Sequence, residues 1–165
     1  MNVIYKRLLQ LGCIFISLYV TAVSAAPNPA SKDYVNSTLL GRAASGGVVF
    51  FTYLSGTVVH GLVAATADEP GLYTQAAAIT RCASKSEGGY DDWFLPNSVQ
   101  MTALFNNRFA ISPNEANAGF ATTLPLLYWT STVSNSNGLT MNFLNGTVVF
   151  LLPSSNLRVR CIRMI

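Results

Sequence analysis

Three kinds of residue in this chain could do chemistry: a short acidic run, a set of C-terminal arginines and two widely spaced cysteines. Glu87, Asp91 and Asp92 form the densest acidic group. A calcium site built on them would need more oxygen ligands, which Asn97 and loop carbonyls could supply. The alternative is structural, with Asp91 and Asp92 bonding backbone amides and an arginine to hold a loop. Arg158, Arg160 and Arg163 are the only basic concentration. In an extended segment Arg158 and Arg160 share a face, where their planar forks suit sulfate or carboxylate. Against that stands a locking role, an arginine of this group pairing with Asp91 or Asp92; that role is favoured for Arg160, whereas Arg158 is evenly balanced. Trp93, Tyr128 and Trp129 could stack on the apolar face of a sugar ring. Trp93 precedes an apolar run and Trp129 leads a strand, so both read as core anchors, which leaves Tyr128 and Tyr90 for partial exposure.

Catalytic constellations are thin. His60 is the only histidine, so a multi-histidine metal site is excluded, and no Gly-x-Ser-x-Gly elbow is present. His60 lies in a β-rich run beside Gly61 and reads as a buried, hydrogen-bonded residue, although a cryptic hydrolase built on it is the third functional hypothesis. No cofactor and no metal are expected, and the chain is expected not to be an enzyme.

The termini set the compartment. Lys6 and Arg7 precede an apolar run from Leu8 to Val20, and Val23-Ser24-Ala25 offers the small residues of a cleavage site. That order is a secretory signal peptide over residues 1–25, too short for a membrane span and followed by Pro27 and Pro29. The expected location is therefore the periplasm, cell surface or medium, with no transmembrane segment after cleavage. The chain's 10 Lys and Arg against 7 Asp and Glu become 8 against 7 once Lys6 and Arg7 leave. A net charge of +1 gives no argument for a nucleic-acid partner, and none is expected. The remaining 140 residues suit one domain. Cys82 and Cys161 are then the only pair in an exported chain, and two such thiols most simply form one disulfide. The alternatives are a catalytic thiol or a metal site, which would need further ligands.

The elements that must position these groups follow from pattern. Residues 26–45 read as a linker with a short helix from Asp33 to about Ala44. Its Tyr34–Leu39 face would dock on the domain or bundle with other copies, as in a trimer. The globular part is expected over 46–165. Val48–Leu54 and Thr57–Ala65 form a hairpin about Ser55-Gly56. Thr74 caps a helix with Ile79, Cys82 and Ala83 inward, ended by Gly88-Gly89. Asn97 caps another, with Met101, Leu104 and Phe105 on one face. Residues 108–125 have no clear period and read as an irregular loop where ligand contacts vary. Tyr128–Val133 and the alternating Leu139, Met141 and Phe143 are strands, and Asn145-Gly146 reads as a type I′ turn. Thr147–Leu152 is apolar without alternation, which predicts cover on both faces, by the core or by a neighbouring subunit. Leu157, Val159 and Cys161 point one way, and Arg158 and Arg160 the other. Together these give an α+β fold, two helices packed on a twisted, mostly antiparallel sheet with one disulfide.

Three boxes occur in order: Gly88-Gly89-Tyr90-x-Asp92-Trp93-x-Leu95-Pro96, Tyr128-Trp129-x-Ser131-Thr132, and Val159–Arg163 with Arg160 inside it. This arrangement resembles the Lcl C-terminal domain family, the globular head of a bacterial collagen-like adhesin that is found also as a secreted domain. The resemblance covers about Gly46 to the C-terminus. It implies a C-type-lectin-like fold related to the formylglycine-generating-enzyme branch, with Cys82 and Cys161 matching the family's bridge. It also implies a sulfated-glycan or host-polysaccharide partner, without mapping a binding residue onto this chain; the lectin tripeptides Glu-Pro-Asn and Gln-Pro-Asp are absent. The expectation is a non-enzymatic surface adhesion module with Arg158, Arg163, Tyr128 and Tyr90 as candidate ligand contacts. The alternative is an assembly subunit with no glycan ligand.

Overall fold

The computed structural model describes residues 39–112 and 119–165. The signal peptide over 1–25 and most of the Tyr34–Leu39 segment lie outside the described residues. The order of elements is β1 (Ala43–Ala44), β2 (Gly47–Ser55), β3 (Val58–Ala65), α1 (Gln75–Ala83), α2 (Ser98–Asn106), α3 (Arg108–Ile111), β4 (Leu127–Ser134), β5 (Asn137–Asn142), β6 (Val148–Leu151) and β7 (Ile162–Met164). The class is α+β, but among the described residues three helices rather than two accompany not one sheet but two. These have strand orders β1-β2-β3-β7 and β4-β5-β6, every pairing within them being antiparallel.

The β2–β3 hairpin forms where expected, and its lack of strict alternation has a cause. Val49 and Phe50 are both buried, in two different core clusters, across a register shift between Val49 and Phe51. The four-stranded sheet is thus covered on both faces at this end. One cluster joins Phe50, Leu62, Met101, Leu104, Tyr128 and Phe143. The other surrounds the Cys82–Cys161 disulfide with Val49, Val63, Trp93, Trp129 and Val159. Each fully buried aromatic or aliphatic side chain contributes roughly 1.5–3 kcal/mol, so these clusters carry most of the fold's favourable free energy.

Both helix starts are set by their caps. Thr74 Oγ1 accepts from Ala77 N, and Asn97 and Gln100 form a reciprocal capping box. Met101 and Leu104 are buried, with Phe105 half-buried beside them. Helix α1 is rotated from expectation: Gln75, Ala78 and Cys82 face inward, while Ile79 and Ala83 are exposed. The disulfide fixes Cys82 inward, and a 3.6-residue period then carries Ala78 and Gln75 to the same side. The helix ends at Ala83 with Ser84 as its cap, four residues before Gly88. Those glycines instead make the Glu87–Tyr90 turn. Gly88 has φ +64°, and a Cβ there would lie 2.2 Å from Gly46 Cα, so the two backbones touch.

Three further expectations are corrected. Ala43–Ala44 pair with β2 as a short strand, so the end of the predicted helix is extended. The β5–β6 connection is not a two-residue I′ turn. Met141 pairs with Val148 and Asn142 N donates to Thr147 O, leaving four residues between. Gly146 alone of the Asn145-Gly146 pair has positive φ, whereas type I′ needs it at both. Strand β6 is not covered on both faces by the chain's own core: it is an edge of its sheet, with Val148 46% and Phe150 54% exposed, so only a neighbouring subunit would supply the expected cover. The irregular segment 108–125 begins with the one-turn helix α3, and residues 113–118 lie outside the described residues.

Candidate functional site

The three sequence boxes meet through backbone bonds. Phe94 and Ile162 exchange both hydrogen bonds, at 2.8 and 3.0 Å; Trp129 N donates to Arg158 O at 3.0 Å; Ser131 N donates to Pro96 O at 2.9 Å. Thr132 Oγ1 accepts from Ser98 N at 2.9 Å. Trp93 and Trp129 are core anchors, as read from sequence, with their indole N–H groups donating to Tyr90 O and Tyr73 O. Gln75 bridges the irregular β4–β5 register, its Nε2 donating to Thr130 O and Thr132 O at 2.8 and 3.1 Å. Gly138 leaves room for this, since a Cβ there would meet the Trp129 ring at 2.5 Å and the Gln75 amide at 2.8 Å.

The arginines part company. Arg160 is 1% exposed and pairs with Asp68, not with Asp91 or Asp92, at 2.6 Å. Its Nη1 donates to Ala65 O and its Nη2 to Gly119 O, and its plane lies 4.3 Å from the Phe120 ring centre. Arg163 is the residue that takes Asp92, with a bidentate pair at 2.7 and 3.0 Å and a third bond to Ser45 O. The Tyr90 ring lies 3.7 Å from its guanidinium, so Tyr90 is part-exposed, as expected, but engaged. That pairing holds the Asp92 carboxyl below, and the Arg163 guanidinium above, its ordinary range. Of the terminal-box arginines, Arg163 plays the locking role proposed for Arg160.

Tyr128 is fully buried rather than part-exposed, and no ligand can stack on it. Its hydroxyl donates to Asp68 and accepts from Ala121 N. Burial, followed by the Asp68 charge, pushes the phenol above its ordinary value near 10, so it stays a neutral donor. Asp68, Arg160 and Tyr128 therefore form one closed network beneath residues 119–121.

Above this network lies an open depression of about 720 Å³, bounded by Thr66, Asp68, Gly119, Thr122, Thr123 and Arg158. Its wall, residues 119–125, is held at one end by Arg160 on Gly119 O and at the other by Arg158 Nε on Pro125 O at 2.8 Å. Arg158 is half-exposed, and its Nη2 reaches Thr123 O and Oγ1 only at 3.4 and 3.5 Å. Bonds at that length are weak. Of the four candidate ligand contacts, only Arg158 stands in this depression; Tyr90 and Arg163 sit together elsewhere and Tyr128 is beneath it.

The acidic group is dispersed. Glu87 pairs with Lys85 at 2.6 Å and accepts from Thr66, Asp92 goes to Arg163, and Asp91 is exposed. Among the described residues no group of three His, Cys, Asp or Glu side chains is placed to hold a metal ion. His60 is half-buried, its ring stacked on Tyr53 at 5.1 Å rather than hydrogen-bonded in a core. Sequence reasoning missed Glu69, which is buried between Arg81 and Lys85, each 2.6 Å away. The acid at 69 and bases at 81 and 85 span the start and end of α1, a spacing that could have suggested the contact.

The family model of the Lcl C-terminal domain matches residues 25–163. A search of curated proteins finds no match. Among the described residues no helix is long and apolar enough to cross a membrane.

Proposed function

The chain belongs to the Lcl C-terminal domain family, and from that premise we propose that it is a non-enzymatic adhesion module of C-type-lectin-like architecture, exported and acting at the cell surface or in the medium. Its ligand is an anionic, sulfated glycan, bound in the depression beside Arg158. One observation carries the ligand site: Arg158 alone of the three C-terminal arginines stands at an accessible depression without a carboxylate partner among the described residues. A guanidinium in that state keeps its charge and a donor edge for a sulfate or carboxylate. Copies of the chain in a trimer would repeat the site around an axis and multiply a weak contact.

The experiment is retention on heparin across a salt gradient, with the mass of the purified chain measured by light scattering. Salt-sensitive retention that is lost in Arg158→Ala supports the reading. A chain that flows straight through refutes it.

A second reading, an assembly subunit without a glycan ligand, is favoured by the β6 edge. Val148, Phe150 and the adjoining Leu152 are 46%, 54% and 66% exposed on a strand that has no neighbour on its outer side among the described residues. Edges of this kind pair with other chains unless charge or shape prevents it. Self-association together with flow-through on heparin is its signature.

A further inference from the structure

The glycan reading leaves open what feature of the ligand is recognised, and the charge pattern around the depression bears on it. Arg81, Lys85, Arg160 and Arg163 each have a carboxylate within 2.7 Å. Arg160 and Asp68 neutralise one another at the floor. With the lining restricted to Asp68 and Arg158 as charged groups, the pair plus Arg158 leaves a net single positive charge. A chain-like polyanion is gripped by a row of cations, and among the described residues no such row lines this wall.

The Arg158 fork is also pre-set. Nε is fixed on Pro125 O at 2.8 Å, which orients the plane, while the Nη2 contacts to Thr123 at 3.4 and 3.5 Å are long enough to yield to an oxyanion. Thr122 and Thr123 are exposed beside it and can bond sugar hydroxyls. A volume of about 720 Å³ falls among small-ligand sites, not extended grooves.

Resting on the glycan reading, we propose that the depression binds a short saccharide unit through one sulfate or carboxylate on the Nη edge of Arg158. Recognition is then of a single anion in a fixed frame, with additional sulfates on the same unit adding little.

The test is a titration of the purified chain, followed by backbone amide resonances, with three disaccharides of neutral sugars that carry no carboxylate: unsulfated, monosulfated and trisulfated. These probes are too short to bridge two sites of an oligomer. The monosulfated and trisulfated forms are expected to bind within tenfold of one another, and the unsulfated form at least tenfold more weakly. The slope of log Kd against log salt is expected to be no more than about 1, the polyelectrolyte value for one ionic contact, because a disaccharide releases few bound counterions. Arg158→Ala should weaken both sulfated forms at least tenfold, with its thermal midpoint recorded to show that it is folded. Arg158→Lys serves as a second variant that keeps charge but loses the fork, and should fall between.

A trisulfated form bound more than tenfold tighter, or a slope of 2 or more, overturns the proposal. So does retention on long heparin that survives Arg158→Ala, although the glycan reading then stands with its site elsewhere. Failure of all three disaccharides and of long heparin to bind overturns both together.

Discussion

The two sheets of this protein solve the same problem with different materials. Around the four-stranded sheet lie all the described carboxylate–cation pairs: Asp68 with Arg160, Glu69 with Arg81 and Lys85, Glu87 with Lys85, and Asp92 with Arg163. The disulfide joins α1 to the segment leading into β7 on that side. The three-stranded sheet contains no charged residue, and none occurs from 116 to 157. Its polar groups are hydroxyls and amides that bond the backbone: Thr130 Oγ1 to Leu139 O, Thr140 Oγ1 to Val149 O, and Gln75 into the β4 carbonyls. The Asp68–Arg160 and Asp92–Arg163 pairs and the covalent bridge fix segments whose ends are far apart in sequence. Hydroxyl bonds need no desolvation of charge, so the neutral sheet buries its polar atoms at lower cost. It also leaves β6 without the charges that usually guard an edge.

The contrast breaks most sharply at Arg160. Arg160→Ala leaves the Asp68 carboxylate unpaired and strips Ala65 O and Gly119 O of a donor. The expected loss is about 3–5 kcal/mol, measured by denaturant unfolding. The double variant Asp68→Leu plus Arg160→Met should recover part of it, because no charge is then stranded. A loss below about 1 kcal/mol in Arg160→Ala would mean that the charged side is not held by this network.

Next in size is the disulfide. Cys82→Ala with Cys161→Ala reopens a bridge of sequence separation 79. The chain-entropy model gives about 4–5 kcal/mol for such a loop, and measured values are commonly about 2–4 kcal/mol. Reductant should lower the midpoint of the parent chain to that of the variant, and an unchanged midpoint would contradict the structural role.

These two sites show what the sequence could and could not disclose. Local signals were legible: Thr74 and Asn97 as caps, Met101 and Leu104 as a buried face, Trp93 and Trp129 as anchors, Cys82 with Cys161 as one pair. Each rests on a few neighbouring residues or on composition. Partner choice was not, because Asp68 and Arg160 are 92 positions apart, and nothing local distinguishes Asp68 from Asp91 as the acceptor. Burial of Tyr128 follows from that same distant Asp68, so its expected exposure failed for the same reason. At the candidate site Arg158 was legible as a charge, but its availability depends on where Arg160 and Arg163 go. Apolar content predicted a covered β6, and within the chain its edge position leaves that strand without cover from the core.

The charged side should also respond to pH. Burial works against the Glu87 carboxylate, yet bonds from Lys85 and Thr66 hold its pKa below the ordinary range. A lowered folded pKa gives stability that is present above the unfolded value, near 4.3, and lost as pH falls through the folded one. Lys85 is the mirror case. Burial opposes its charge, but Glu69 and Glu87 raise its pKa, so its contribution is present below about 10.4 and lost as pH rises through the folded value. Thermal midpoints should therefore fall at both ends of the range. Lys85→Met should lessen the alkaline fall without abolishing it, because the raised Tyr128 phenol also withdraws stability as pH climbs past its unfolded value near 10; an alkaline fall unchanged in the variant would assign it to Tyr128 or another group.

The smallest effect on folding is expected at the neutral sheet's edge, and it separates the two readings of function. Phe150 points outward from β6 and is 54% exposed, so Phe150→Lys removes little buried contact. The stability of the isolated chain should change by no more than about 0.5 kcal/mol. A lysine on an edge strand opposes pairing with a second strand, both by charge and by the loss of an apolar contact. If β6 is covered by another copy, light scattering should show the assembly dissociating while heparin retention per chain weakens only through lost multivalency. If mass is unchanged, β6 is not the contact between copies, and the assembly reading loses the observation that favours it. Retention by Arg158 should persist in either case, because the depression is bounded by residues 66–68, 119–123 and 158, none of them on β6.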